Sequence, residues 1–301
     1  MIGSQKSTIR KIVIPRGENG TANDTWILDT PTGIIDKIPG AGYRTNDSGC
    51  FATSVNKWYL KLTTAANQIA VFNSNLTWIT TIVVGGTMES VNYDSGTDRV
   101  YCGYWAGGSS HLVVINPNTD TVVSDFVVVD PIGGNFEQQF HSPGRIFALS
   151  QDAGWNEVIR CYDITGGVPV FVGQIAYEPT VFLNNYYGAY APATNRIWFP
   201  MWDSVDGGEL WAIDPDTAAI TNIVVFAPLD DPSDIIYNPG TGAIIVHGAD
   251  DELSIFNPIS RSIVCTLNVP VNNTGLAPGV DCLNGHIYYN EIAFYTLHLF
   301  H

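Results

Sequence analysis

The sequence predicts an all-β fold made by copying one four-stranded unit along the chain. Three observations carry this expectation: a hairpin at 111–126, its recurrence at near-constant spacing, and the lack of any helical stripe. The hairpin reads HLVVINPNTDTVVSDF. A short β-branched run leads into Asn116-Pro117-Asn118-Thr119, whose Asx side chain and fixed proline φ suit a tight turn, and the return strand alternates apolar with polar. The same Asx position recurs as Asp29, Asn73, Asn116, Asp163, Asp214 and Asn257, at gaps of 44, 43, 47, 51 and 43 residues. His301 stands 44 residues beyond Asn257, so LHLFH falls where a seventh copy would begin its turn. No i, i+3, i+4, i+7 pattern of useful length interrupts the strands. Self-similarity at about 40–45 residues, built only from strands and turns, is the mark of a β-propeller. The expected architecture is one propeller domain over 1–301, seven-bladed, with a six-bladed ring as the alternative.

Taken in order, residues 1–23 form a basic arm with a strand at 8–15, and 24–39 is the first hairpin. The loop-like GAGYRTNDSG follows. From residue 50 the units become complete, each with an inner strand, a second strand and the hairpin as third and fourth. The first comprises 50–55, 57–64, 68–72 and 77–84, and the second 90–94, 99–105, 111–115 and 121–129. Strands at 137–141, 145–150, 158–162 and 168–176 make the third unit. The fourth has 186–191, 196–202, 209–213 and 220–226; the fifth has 234–237, 243–247, 252–256 and 262–269. The final stretch, 280–300, supplies three strands. A sheet one strand short exposes an edge, and the strand at 8–15 is expected to complete it and close the ring.

Composition narrows the function. A net charge of -16 with only 13 Lys and Arg excludes global phosphate neutralisation, so nucleic acid and anionic membrane surfaces are not expected partners. No apolar run is long enough to insert in a membrane, and the N-terminus lacks a signal-peptide h-region. With only 14% charged residues, the surface must be covered largely by Asn, Thr, Ser and Gly. The five cysteines (Cys50, Cys102, Cys161, Cys265 and Cys282) show no CxxC pair and are expected as buried free thiols.

Two units, RVYCGYWAGGSSHLVVINPNTDTVVSDF (99–126) and RIWFPMWDSVDGGELWAIDPDTAAITNI (196–223), resemble the YVTN-type repeats of bacterial, archaeal and phage β-propellers. The resemblance covers about 50–301. It departs in the second strand, where no Val-Thr-Asn triplet follows the aromatic residue. It implies a propeller fold and, as families of this kind go, a binding or surface role; related propellers are lactonases. Fold alone carries neither activity across.

Where inner strands begin, Asp47, Glu89, Glu137, Asn185, Asp234 and Asp281 align at intervals of 42, 48, 48, 49 and 47 residues. Converging on a channel mouth, five carboxylates and an amide would repel one another, and a hard cation such as Ca²⁺ would relieve that. Acidic and amide residues are also ordinary turn formers before a strand. No HExxH, GxSxG elbow or P-loop lysine occurs. The candidate partner-binding residues are the basic-arm cations Lys6, Arg10, Lys11 and Arg16 and the aromatics Trp105, Tyr186, Tyr187 and Trp202, which suit a protein partner or stacking on carbohydrate. The expectation is a non-enzymatic scaffold that binds a protein, in a phage virion or on an extracellular surface. The alternative is a metal-dependent hydrolase of the lactonase type using the carboxylate ring.

Overall fold

A computed structural model describes residues 11–14, 26–29, 34–37, 45–62, 67–107, 109–128, 139–151, 157–176, 181–182, 188–203, 207–226, 234–238, 241–247, 252–268, 279–281, 286–291 and 296–300. Contacts divide the chain into two compact units, one of residues 1–107 and 111–128, the other of 129–301 with 108–110. All the regular structure among the described residues is β.

Three sheets make up the first unit. β1 (Lys11–Ile14), β2 (Trp26–Asp29) and β3 (Ile34–Lys37) form an antiparallel sheet in that order. β4 (Thr45–Ala52), β5 (Lys57–Leu62), β6 (Gln68–Asn73) and β7 (Trp78–Val83) form the second. β8 (Thr87–Asp94), β9 (Arg99–Ala106), β10 (Ser109–Asn116) and β11 (Thr121–Val128) form the third.

The second unit has four sheets. β12 (Gln139–Ser142), β13 (Arg145–Gln151), β14 (Glu157–Asp163) and β15 (Val170–Ala176) pair in sequence order. In the next sheet β18 (Arg196–Asp203), β19 (Gly207–Asp214) and β20 (Ala219–Phe226) follow an inner strand split into β16 (Val181–Phe182) and β17 (Ala189–Ala191), both paired to β18. β21 (Asp234–Asn238), β22 (Ala243–His247), β23 (Glu252–Asn257) and β24 (Ser262–Asn268) complete another four-stranded meander. β25 (Gly279–Asp281), β26 (His286–Glu291) and β27 (Thr296–Phe300) end the chain.

Two expectations need correction. The strand expected at 8–15 is β1, and it pairs with β2, Lys11 opposite Asp29; among the described residues the last sheet stays three-stranded. A nearby antiparallel partner costs less loop-closure entropy than one at the far end of the chain. The stretch 40–49, read as a loop, supplies the start of β4, though its ladder to β5 is broken between Thr45 and Gly49.

The spacing that marks the repeat has a local physical cause. Asn73 Oδ1 accepts the N–H groups of Asn75 and Thr77 at 3.0 and 2.9 Å, and Asn116 Oδ1 accepts that of Asn118 at 2.9 Å. Asp163 does the same for Thr165, Asp214 for Asp216, and Asn257 for Ile259 and Ser260. Each of these five marker residues therefore closes its own hairpin turn. The hydroxyl and N–H of Thr165, then Arg145, hold the Asp163 carboxyl below its ordinary pKa. Each of these turns also has one residue in the left-handed region: Leu76, Asp120, Gly167, Ala218 and Arg261, at φ between 53° and 78°. That conformation costs a non-glycine residue about 1–2 kcal/mol. At Leu76 and Ala218 the side chain is buried in a core cluster, which offsets the cost.

The cores lie between neighbouring sheets. In the first unit Tyr59, Ile69, Val71 and Met88 pack with Val91, Cys102, Tyr104 and Ile115. In the second, Phe147, Ile159 and Cys161 meet Phe199, Met201 and Trp211, while Trp198 and Leu210 meet Ile244 and Phe256. Of the expected buried thiols, Cys102 and Cys161 are buried, Cys50 is half-buried and Cys265 is exposed, because β24 is an outer strand. Burial pushes the Cys161 thiol up to about 12.

Four outer strands share one irregularity. Ile79, Val172, Thr221 and Val264 are each skipped in the ladder to the third strand, a β-bulge at the same place in four sheets. A bulge twists an edge away from a would-be partner strand.

Candidate functional site

Only part of the expected carboxylate ring can be placed. Glu137 and Asn185 lie outside the described residues, and for Asp47, Glu89, Asp234 and Asp281 the structure describes the strand alone. Asp47 falls where β4 loses its register, and Glu89 is the bulged residue of β8. Asp234 opens β21, opposite His247. Asp281 closes β25, opposite His286 at the hairpin end, and so stands at the other end of its strand. Asp94 and Asn238 hold that hairpin-end position in their own sheets; both are buried and accept turn N–H groups, from Thr97 at 2.7 Å and from Thr241 at 3.3 Å. Turn formation accounts for a side-chain oxygen there. No group of three or more His, Cys, Asp or Glu among the described residues is placed to hold a metal ion.

Of the candidate partner-binding residues, Lys6, Arg10, Arg16, Tyr186 and Tyr187 lie outside the described residues, and Lys11 opens β1. Trp105 and Trp202 are both half-buried. They occupy the far ends of β9 and β18, Trp105 opposite Thr87 and Trp202 opposite Phe182 and Gly208.

On the opposite face of β9 from Trp105, Tyr104 anchors a constellation that motif reasoning missed. The Tyr104 hydroxyl donates to Asp125 Oδ2 at 2.5 Å, and Asp125 Oδ1 lies 3.0 Å from His111 Nδ1. The imidazole stacks on the Tyr104 ring, with centroids 4.5 Å apart and planes 20° apart. Three consecutive strands each supply one member, Tyr104 from β9, His111 from β10 and Asp125 from β11. Burial, then the hydrogen bond to Asp125, pushes the Tyr104 hydroxyl well above its ordinary pKa, so it stays a neutral donor. Gly85 and Gly86 make room for that ring: a Cβ on Gly86 would come within 2.2 Å of the Trp105 carbonyl oxygen and 2.7 Å of the Tyr104 ring. A carboxylate at Nδ1 fixes the tautomer and leaves Nε2 as the acceptor nitrogen. The result is an imidazole held in one orientation against the Tyr104 ring, suited to hydrogen bonding with a partner. The pairing was within reach of the sequence, since His111 and Asp125 lie on the two strands of the hairpin that sets the repeat.

No protein-family model matches the chain, and no curated protein matches it in sequence. Solved structures do. Hydrazine synthase of Kuenenia stuttgartiensis is similar with a TM-score of 0.73 at 11% identity, covering 97% of this chain and 92% of that one. The WD40 β-propeller domain of Doa1 is similar with a TM-score of 0.65 at 12% identity, covering 93% and 86%. No helix among the described residues is long and apolar enough to cross a membrane. Four-stranded antiparallel meanders, repeated along the chain and matched over nearly its whole length by a known propeller, make this an all-β chain of the β-propeller fold.

Proposed function

We propose that this chain is a non-enzymatic β-propeller that acts as a rigid protein-interaction module, with its seven sheets as the seven blades of a closed ring. The observation that carries the binding role is the Tyr104–His111–Asp125 constellation. It fixes a hydrogen-bonding imidazole against the Tyr104 ring, and no serine, cysteine or threonine is bonded to that imidazole among the described residues. Rigidity is supported by the repeated Asx turns and by ties between sheets, such as Lys57 Nζ to the Pro117 carbonyl at 3.0 Å and Arg145 Nε to the Pro215 carbonyl at 3.3 Å.

Affinity capture from the source cells, with cross-links read by mass spectrometry, is expected to return one stoichiometric protein partner joined around residues 104–125. Replacing Trp105 and His111 together by alanine is expected to weaken that partner at least about tenfold. Turnover of esters or lactones by the purified chain, with no such partner, overturns the reading. The blade number has its own check: class averages of the isolated protein in electron micrographs are expected to show seven spokes, and six would refute the count.

A further inference from the structure

Charge is divided unevenly between the two compact units. The second, residues 129–301 with 108–110, holds 19 of the 29 acidic residues and 4 of the 13 lysines and arginines, a net charge of -15. The first holds the other 10 acidic residues and 9 cations, a net charge of -1.

The four cations of the second unit are all committed. Arg145 Nη1 lies 2.5 Å from Asp163 Oδ2, and Arg196 Nη1 lies 3.2 Å from Asp214 Oδ2. Arg261 Nη1 donates to Asn222 Oδ1 at 3.2 Å, and Arg160 is buried. Three of them also stand at one end of their sheets: Arg145 opens β13, Arg196 opens β18, and Arg261 directly precedes β24, each at a turn. The opposite ends of these sheets are joined through 151–157, 203–207, 226–234 and 247–252, which contain ten Asp and Glu and no lysine or arginine.

We propose that the second unit is an ionic-strength switch: its sheets open locally at the acidic strand ends as salt falls, while those of the first unit stay closed. The reach of charge decides this. The Debye length is about 30 Å at 0.01 M salt and about 8 Å at 0.15 M. A strand of eight residues spans about 26 Å. At low salt each carboxylate therefore acts on carboxylates a whole strand length away, and this self-repulsion opposes the closed state. At 0.15 M and above only close neighbours interact. Local opening is the expected response, because parts of a sheet open at free energies below that of global unfolding. The first unit is near neutrality and has no such opposing charge. The Tyr104–His111–Asp125 constellation belongs to that first unit, so the partner contact and this switch are tested apart.

Hydrogen–deuterium exchange of the full chain at constant pH, read by mass spectrometry on peptides, is the test. As sodium chloride rises from about 0.01 to about 0.5 M, exchange in β13–β14, β18–β19 and β22–β23 is expected to slow at least about fivefold. Exchange in β5–β6 and β9–β10 is expected to change by less than about twofold. Tetramethylammonium chloride at equal ionic strength is expected to act as sodium chloride does, because screening needs no bound ion. Replacing Asp230, Asp231, Asp250 and Asp251 together by asparagine removes four of the excess charges. That variant is expected to flatten the salt dependence of the second unit while its exchange at about 0.5 M stays that of the wild type, a reading that shows the fold is kept. Equal responses in the two units, or none in the second, overturn the proposal. So does protection that calcium restores and tetramethylammonium does not, which would mean a bound cation, and so does a variant that keeps the wild-type salt dependence.

Discussion

Replacing Asp120 by alanine is expected to destabilise the first unit by about 3 kcal/mol, among the largest losses for any single polar side chain. Asp120 sits in the turn between β10 and β11, and both its oxygens are engaged by the neighbouring sheet. Lys57 Nζ lies 2.7 Å from Oδ2, and the Tyr59 hydroxyl donates to Oδ1 at 2.5 Å. Tyr59 is fully buried, and burial followed by that hydrogen bond pushes its hydroxyl far above its ordinary pKa. Removing the carboxylate leaves a buried hydroxyl and a half-buried ammonium with only the Pro117 carbonyl to share, at 3.3 and 3.0 Å. It also leaves alanine at φ 56°, a conformation that suits Asp, Asn or Gly better. The substitutions separate these terms. Asp120→Gly should recover about 1 kcal/mol of the loss by relieving the backbone alone. Asp120→Asn keeps an acceptor for Tyr59 and loses only the charge on Lys57, so its cost should be the smallest, about 1 kcal/mol. Urea titrations of the three variants check the order Asn, Gly, Ala; an alanine variant as stable as wild type would show that this tie does not hold the two sheets.

Asp120 also shows where sequence reading stops. The Asx residue four positions earlier, Asn116, was legible because its bonds are made to its own turn, and a side chain that bonds two residues onward leaves a fixed local pattern. The same logic found all five markers whose turns are described. Asp120 bonds to residues 61 and 63 positions away, and no local pattern announces such a contact. The His111–Asp125 pair lies between these cases, 14 residues apart on one hairpin. It needed only the hairpin register, which motif searching does not supply. Alignment of strand beginnings misled at Asp281, because a three-residue strand moves its acidic residue from the leading end to the turn. Period-two alternation divides β18, with Trp198 packed against the β21–β24 sheet and Phe199 and Met201 against the β12–β15 sheet. Trp198 is buried between sheets, whereas Trp202, on the same face near the end of the strand, is half-buried.

That burial sets the other large effect. Trp198→Ala is expected to cost about 3–5 kcal/mol and to uncouple the β18 sheet from the β21–β24 sheet in the second unit. Its indole is only 1% exposed and meets Phe256 edge to face at 4.9 Å, with Ala189, Ala191 and Ala212 around it. Those alanines have no side-chain length with which to refill the space, so the cavity term should be near its full value. Trp198→Phe should behave quite differently. Among the described residues the indole N–H has no hydrogen-bond partner, so tryptophan carries the desolvation of a buried donor, about 1–3 kcal/mol, that phenylalanine does not. The smaller ring loses volume and keeps the edge-to-face contact, and the two changes act in opposite directions. The phenylalanine variant is expected within about 1 kcal/mol of wild type in urea or thermal melts. If it proves as damaging as alanine, the indole N–H is bonded in solution, and the tryptophan is held there by polarity as well as by size.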